Sequence, residues 1–461
     1  MAVDDSLAAR IPTDCPEDVR QVLLHAWSHD LDTLKKLLDA RGKASAQDPT
    51  TGETPLHAAI RACGQTDEAE ADAEAGEEDG VVEEARAVVQ ELFFSGAIWN
   101  DVDSNNETPG CVADRLGRKA LYNMCVDAGV RAELLFALMD GYEQLSSGSE
   151  DGADEEMTEA DDAEAAEAAE ATEATEEAEK ETEGAESGEG TETQRSFVPP
   201  EAGEKTVTSD EYLKSDLVYD SQKLVDSDLN GVMMSWETDI MNRSVASLIP
   251  DSAPGKRILN IGFGMGIIDS KFASLEPSRH HIIEAHPAVL KHIETSEDCK
   301  FGPAWEASGP EEGAFKVHAG KWQEVVPKLL AEGEVYDAIY FDTFGEDYSQ
   351  LRMFFTEYVT GLLDQDGKFG FFNGLGADRK ICYDVYTKVV EMHCAEAGMD
   401  VEWEELDVNI PGMDEAGSGE WEGVRRRYWT LKSECTRMRS HLPTPTDRFA
   451  EYRLPTCSFM G

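Results

Sequence analysis

Apolar residues at Val19, Val22, Leu23, Ala26, Leu31, Leu34, Leu37 and Leu38 recur at the three- and four-residue steps that line one face of a helix, so the chain opens on a helix pair. After residue 256 the pattern changes to short apolar runs of strand length: Arg257-Ile258-Leu259-Asn260-Ile261-Gly262, His281-Ile282-Ile283-Glu284, and the segments 315–318, 335–341 and 367–372. Helical periodicity separates the later runs, at 322–330, 348–363 and 379–397, and a final strand-like run at 428–431 completes the set. Strands alternating with helices predict an α/β domain built on a doubly wound, mostly parallel sheet. Ligands of such sheets bind beyond the carboxyl ends of the strands, which points to residues 262–266, 284–286, 321–322, 342–343 and 373–374.

The opening helices belong to a repeat. Thr54-Pro55-Leu56-His57-Ala58-Ala59 is similar to the TPLHxA core of the ankyrin repeat, in which Thr-Pro opens a helix and Leu and Ala turn onto the neighbouring unit. A degenerate copy, ETPGCVA at 107–113, follows one ankyrin period plus an insertion of roughly 20 residues later. Two to three units are expected, forming a small α-helical domain over 1–143 with an acidic insertion at 67–80. Such arrays are binding surfaces, so this half is expected either to recruit a partner or to cap the domain that follows.

Charge divides the chain. From Glu150 to Glu192 there are 20 acids and one base, Lys180, in 43 residues, a composition that cannot build a core. An acidic disordered linker is therefore expected at 144–196, leaving 197–461 as the α/β domain. This stretch and the eight acids of 67–79 carry about half of the formal charge of −55. A surplus of that size excludes sequence-independent nucleic-acid binding and favours a basic partner. No apolar run reaches the roughly 18 residues of a membrane span, and the acidic N-terminus lacks the features of a secretory signal, so no membrane association is expected. The 9 cysteines never fall at CxxC spacing and are expected to be reduced packing residues, with no metal site among them.

The run RILNIG leads straight into Gly262-Phe263-Gly264-Met265-Gly266. A GxGxG turn after a buried strand lets a cofactor approach the backbone with no Cβ in the way. Glu284, ending the next strand, is placed to bind ribose hydroxyls. The pair suits a dinucleotide or S-adenosylmethionine, and the missing later glycine of GxGxxG favours the latter. Among the other acids, Asp342 follows a predicted strand and Glu237 sits in a Met- and Trp-rich segment; by residue type alone either also suits a structural cap.

In chain order, VMMSWETDIM, ILNIGFGMGIIDSK, IIEAH, GKWQEV and YFDTF resemble the guanidinoacetate methyltransferase family. The repeats ahead of them, with FFNGLGADR, resemble more narrowly the fungal arginine N-methyltransferase 2 family, whose members methylate the internal δ nitrogen of protein arginine. The resemblance implies a Rossmann-like class I methyltransferase sheet with S-adenosyl-L-methionine as cofactor. It implies that Asp342 orients the guanidinium, accepts its proton and borders the cofactor, with Glu237 as second arm of the clamp. It further implies that Phe263, Gly264, Met265, Gly266, Ile267 and Ile268 wrap the methionine part, that Glu284 takes the ribose, and that Ala285 and His286 border the adenine. Lys321 and Trp322 would cover the adenine, Met233 and Met241 would pack thioethers against the cofactor, and Tyr219 would close the site.

Gly266 stands where the small-molecule enzymes of the family have Ala, which favours a protein substrate. The double-glutamate loop of the common protein arginine methyltransferases is missing, which argues against dimethylation of a terminal nitrogen. The leading expectation is a δ-N-methyltransferase acting on a basic protein, such as a ribosomal protein. The alternatives are an N-methyltransferase of a free guanidino compound such as guanidinoacetate, and a non-catalytic adaptor. Cytoplasm and nucleus are the expected compartments.

Overall fold

The computed structural model describes residues 3–66, 80–147, 207–220, 222–408, 419–431 and 450–461. Of the acidic insertion predicted at 67–80 and the linker predicted at 144–196, residues 67–79 and 148–196 lie outside these described residues, whereas Gly80 opens a helix and 144–147 continue one, so both predicted segments reached too far into helix. The chain divides into one compact unit of residues 1–137 and 198–461 and a second of 138–197, whose described part is the continuing C-terminal helix of the repeats.

The N-terminal region folds as three helix pairs: α1 (Glu17–Trp27) with α2 (Leu31–Leu38), α3 (Pro55–Arg61) with α4 (Gly80–Phe94), and α5 (Pro109–Arg115) with α6 (Lys119–Ser147). Thr54 and Thr108 cap α3 and α5, each accepting a backbone N–H three residues on, and proline fills the first helical position where no donor is needed. His57 stitches two repeats together. Its Nε2–H donates to the Glu107 carbonyl at 3.0 Å while Nδ1 takes the Thr54 hydroxyl at 2.8 Å, and burial pushes its pKa down to about 4, keeping the ring neutral.

The second half is a seven-stranded sheet in the order β6-β5-β4-β7-β8-β10-β9, made of β4 (Arg257–Ile261), β5 (Arg279–Glu284), β6 (Phe315–Ala319), β7 (Tyr336–Phe341), β8 (Leu363–Phe371), β9 (Met399–Val408) and β10 (Ala450–Phe459). The five strands from β6 to β8 run parallel, and β10 lies antiparallel between β8 and β9. A separate antiparallel sheet of β1 (Leu217–Tyr219), β2 (Lys223–Asp226) and β3 (Gly231–Met234) precedes it and leads into α7 (Thr238–Leu248). Further helices are α8 (Ile267–Ala273), α9 (Trp322–Glu332) and α10 (Lys380–Glu396). The strand predicted at 428–431 is absent: that run is irregular, and the sheet is completed by β9 and β10 instead. Its apolar character comes from Trp429, which is wholly buried in an aromatic cluster with Trp421 and Tyr452.

The two halves share a core. Ile381, Val385 and Val389 of α10 are buried among the repeat residues Val112, Leu121, Cys125 and Val126. Gly110 permits the approach, since a Cβ there would lie 1.8 Å from Ile381 Cδ1. Tyr122 donates to Asp384 at 2.5 Å, and Lys380 and Lys388 pair with Asp114 and Asp127 around the rim.

Candidate functional site

Strand order reverses between β4 and β7, where the chain departs in opposite directions from the middle of the sheet, and this is where an open α/β sheet leaves a crevice. The register sets Ile261 beside Phe341, so that Gly262 and Asp342 emerge together. Asp342 N–H donates to the Ile261 carbonyl at 2.8 Å, and Gly262 has φ +92°, with a Cβ at that position falling 1.8 Å from the Asp342 carbonyl oxygen. Only glycine fits there. Below the turn, Asn260 Nδ2 donates to the Gly262 carbonyl at 2.9 Å and to Asp269 at 2.8 Å, and Asp269 meets His280 at 2.9 Å, a buried polar chain that fixes the turn from beneath.

The crevice is a cavity of about 290 Å³ lined by Met233, Glu237, Gly262, Gly264, Glu284, Ala285, Lys321, Trp322, Asp342, Phe372 and Tyr428, among others. Two acids dominate one end. Glu237, 2% exposed, accepts the Met234 N–H at 2.7 Å and the Tyr428 hydroxyl on the same oxygen, Oε1. Asp342 faces it with Oδ2 buried and, among the described residues, without a hydrogen-bond partner. Burial and the neighbouring Asp342 charge push Glu237 up to about 8, and burial pushes Asp342 up to about 7. Two carboxylates in such a place resist carrying two charges together, and a cation offering several N–H donors relieves both the repulsion and the unpaired oxygen.

At the other end Glu284 accepts Phe263 N–H at 2.9 Å and His286 N–H at 2.6 Å, one on each oxygen, and burial pushes its pKa up against these backbone donors. Trp322 Nε1, Gln323 Nε2 and the Thr343 hydroxyl all donate to Glu346, at 3.0, 2.8 and 2.7 Å, holding the indole against the cavity.

Of the residues singled out in the sequence, Met233, Gly264, Glu284, Ala285, Lys321, Trp322, Asp342 and Glu237 line this cavity. Others support it from behind. Met241 belongs to the core with Val245, Ile258 and Phe272 and not to the cavity wall, because α7 turns its apolar face to the sheet. The Phe263 ring packs edge-on against Phe301, and only its N–H serves the site. Met265 N–H is held by the Met233 sulfur at 3.2 Å; Gly266 bonds back to the Phe263 carbonyl; Ile267 and Ile268 open α8, with Ile268 in the core. His286 caps the helix that begins at Pro287 and bonds the Tyr212 carbonyl at 2.9 Å. Tyr219 stacks on His292 and donates to the Gly264 carbonyl at 3.3 Å, bracing the turn from outside. Tyr212 lines the cavity in its place. Tyr212, Gln323, Phe344, Glu346 and Tyr428 are among the lining residues that sequence reasoning missed. Glu346 lay four residues past Asp342 and was within reach of the strand-end rule, whereas nothing local marks Tyr212 or Tyr428.

A family profile described as Guanidinoacetate N-methyltransferase matches residues 225–400. A protein of Gibberella zeae named protein arginine N-methyltransferase 2 is 68% identical over 432 residues, 94% of either chain. Proteins of the same name from Neurospora crassa and Emericella nidulans are 60% and 45% identical, the former over 100% of both chains and the latter over 97% of this chain and 98% of its own. With relatives of that name matching along nearly its whole length, this chain belongs to the protein arginine N-methyltransferase 2 family.

Proposed function

We propose that this chain transfers the methyl group of S-adenosylmethionine to the δ nitrogen of arginine in a basic protein. The observation that carries the reading is the Glu237–Asp342 pair at the end of a cavity that begins in a glycine turn, with Glu237 buried and Asp342 Oδ2 buried and unpartnered among the described residues. The residues fit the cofactor: glycine backbone at 262 and 264, the Glu284 carboxylate on the cavity wall as an acceptor for ribose hydroxyls, and the Trp322 indole as a flat apolar wall. When bound, S-adenosylmethionine supplies a methyl group whose bond to sulfur breaks with the electron pair going to sulfur as the bond to nitrogen forms.

The protein's part is positioning and charge. A guanidinium has a pKa above 12 and a delocalised lone pair, so it is a poor nucleophile unless its charge is drawn aside. Two carboxylates holding the terminal amino groups draw positive charge toward themselves and leave the δ nitrogen facing the methyl group. Asp342 then accepts the proton released on methylation, consistent with its raised affinity for one. The formal charge of −55 supports a basic client, a ribosomal protein being one such, drawn in by electrostatic steering, with the repeat half as its recruitment surface. No helix among the described residues is long and apolar enough to cross a membrane, and cytoplasm and nucleus are the compartments proposed.

The test is incubation with isotopically labelled S-adenosylmethionine and a basic protein extract, followed by identification of the methylarginine isomer by fragmentation mass spectrometry. Label in δ-N-methylarginine is the expected result. Label only in ω-methylarginine overturns the assignment of the nitrogen, and turnover confined to guanidinoacetate overturns the protein substrate. Glu284→Gln is expected to weaken S-adenosylmethionine binding about tenfold to a hundredfold by titration calorimetry, the loss typical of hydrogen bonds to a charged group.

A further inference from the structure

The segment 419–431 is remote in sequence from every motif of the site, yet it forms a strap that brings Tyr428 onto Glu237. Gly231 N–H donates to the Arg426 carbonyl at 2.9 Å, Arg425 N–H to the Leu229 carbonyl at 2.7 Å and Thr430 N–H to the Ala377 carbonyl at 2.9 Å, tying the strap to β3 on one side and to the loop after β8 on the other. The Tyr428 ring is gripped between aromatic neighbours. Trp236 stacks on it with a centroid distance of 6.2 Å, Trp421 meets it edge-on at 5.3 Å and Phe372 edge-on at 6.0 Å. Gly231 makes room beneath, since a Cβ there would stand 3.3 Å from Tyr428 Cε1. A ring held on so many sides delivers its hydroxyl to one place, Glu237 Oε1, which also accepts the Met234 N–H.

We propose that Tyr428 is a positioning residue for methyl transfer: it locks Glu237 Oε1 so that Oε2 is the oxygen presented to the guanidinium. This rests on the proposed clamp and adds to it a residue from outside the family-profile match at 225–400. Among the described residues no donor reaches Glu237 Oε2, so the two donors on Oε1 determine which way the carboxylate faces. The phenol remains a donor throughout. Burial and the adjacent carboxylates push its pKa well above that of free tyrosine, so it stays protonated at neutral pH and serves as a fixed hydrogen bond rather than a base. A donor to the charged form also favours ionisation of Glu237, opposing the burial and the Asp342 charge that raise it.

The experiment is Tyr428→Phe in the full chain, which removes one oxygen and keeps the ring in its aromatic seat. The expected result is a kcat lower by about tenfold to a hundredfold, unchanged S-adenosylmethionine affinity, and an acidic limb of the pH–rate profile displaced to higher pH. Glu237→Gln and the double variant complete a cycle. If Tyr428 acts through Glu237, adding Tyr428→Phe to Glu237→Gln costs little more activity. Full activity with an unmoved pH profile in Tyr428→Phe overturns the inference, as do losses that multiply in the double variant. Trp421→Phe, which loosens the seat without touching the hydroxyl, gives a second reading, and a pH limb shifted in the same direction is expected. Should Glu237→Gln itself retain full activity, the clamp fails and not merely its support.

Discussion

Asp342→Asn is expected to abolish nearly all methyl transfer while making the free protein more stable. The loss follows from removing one arm of a desolvated charge clamp, which costs roughly 3–5 kcal/mol, or about a hundredfold to several thousandfold in kcat/KM. Asparagine keeps the shape and the Asp342 backbone hydrogen bond to Ile261 that sets the strand ends, so cofactor affinity should change little. The gain in stability has a defined pH dependence. Asp342 and Glu237 both hold protons more tightly folded than unfolded, with values raised to about 7 and about 8. The native state therefore binds more protons than the unfolded chain between the ordinary carboxylate range and about pH 8, and stability falls as pH rises through that window. Removing one acid relieves the penalty. The difference in Tm between variant and parent is expected to be small near pH 4 and largest near pH 8, as scanning calorimetry at the two values would reveal. A variant that keeps methylating, or one whose Tm falls at pH 8, contradicts the strained pair.

Deletion of residues 1–143 is expected to yield an insoluble, inactive protein. The reason lies on α10, where Ile381, Val385 and Val389 are buried by the repeats. Exposing three such side chains forfeits roughly 1.5–3 kcal/mol each, about 5–9 kcal/mol together, comparable to the whole stability of an ordinary domain. The loop before α10 also supplies Phe372, Gly374 and Leu375 to the cavity wall, so disorder in α10 reaches the site directly. Soluble yield, a cooperative melting transition and turnover of the deleted chain are the measurements. A fragment that melts cooperatively and methylates at the parent rate would mean that the repeats are a detachable module.

The strand-turn-helix from Arg257 to Ala273, the acid at Glu284 and the acid at Asp342 were legible in the sequence because each signal is local. A buried parallel strand is a run of apolar residues, a close backbone approach demands glycine, and strand ends are where ligands bind. The helix starts at Pro55 and Pro109 were legible because Thr before Pro is a local helix-opening signal, and Thr54 and Thr108 cap there. What escaped depends on contacts between distant segments. Tyr428 is 191 residues from the carboxylate it holds. The apolar run around Trp429 looked like a strand because burial in an irregular aromatic cluster and burial in a sheet select the same residues. The shared core left a trace that is plain in hindsight: α10 carries Ile381, Val385 and Val389 on one face and Val390 and Cys394 on another, both buried. A helix apolar on two sides needs two neighbours.

That second neighbour bears on how the chain can diversify. A stack of repeats must shield the apolar face of its last unit, usually with a dedicated polar terminal repeat. Here the helix of another fold provides the shield, seated against Gly110 and Gly129. An extra unit after α6 would separate α5 and α6 from the helix that closes them, and one ahead of α1 would have to keep Asp5 and Arg10 on their partners Arg61, Arg115, Glu53 and Asp103.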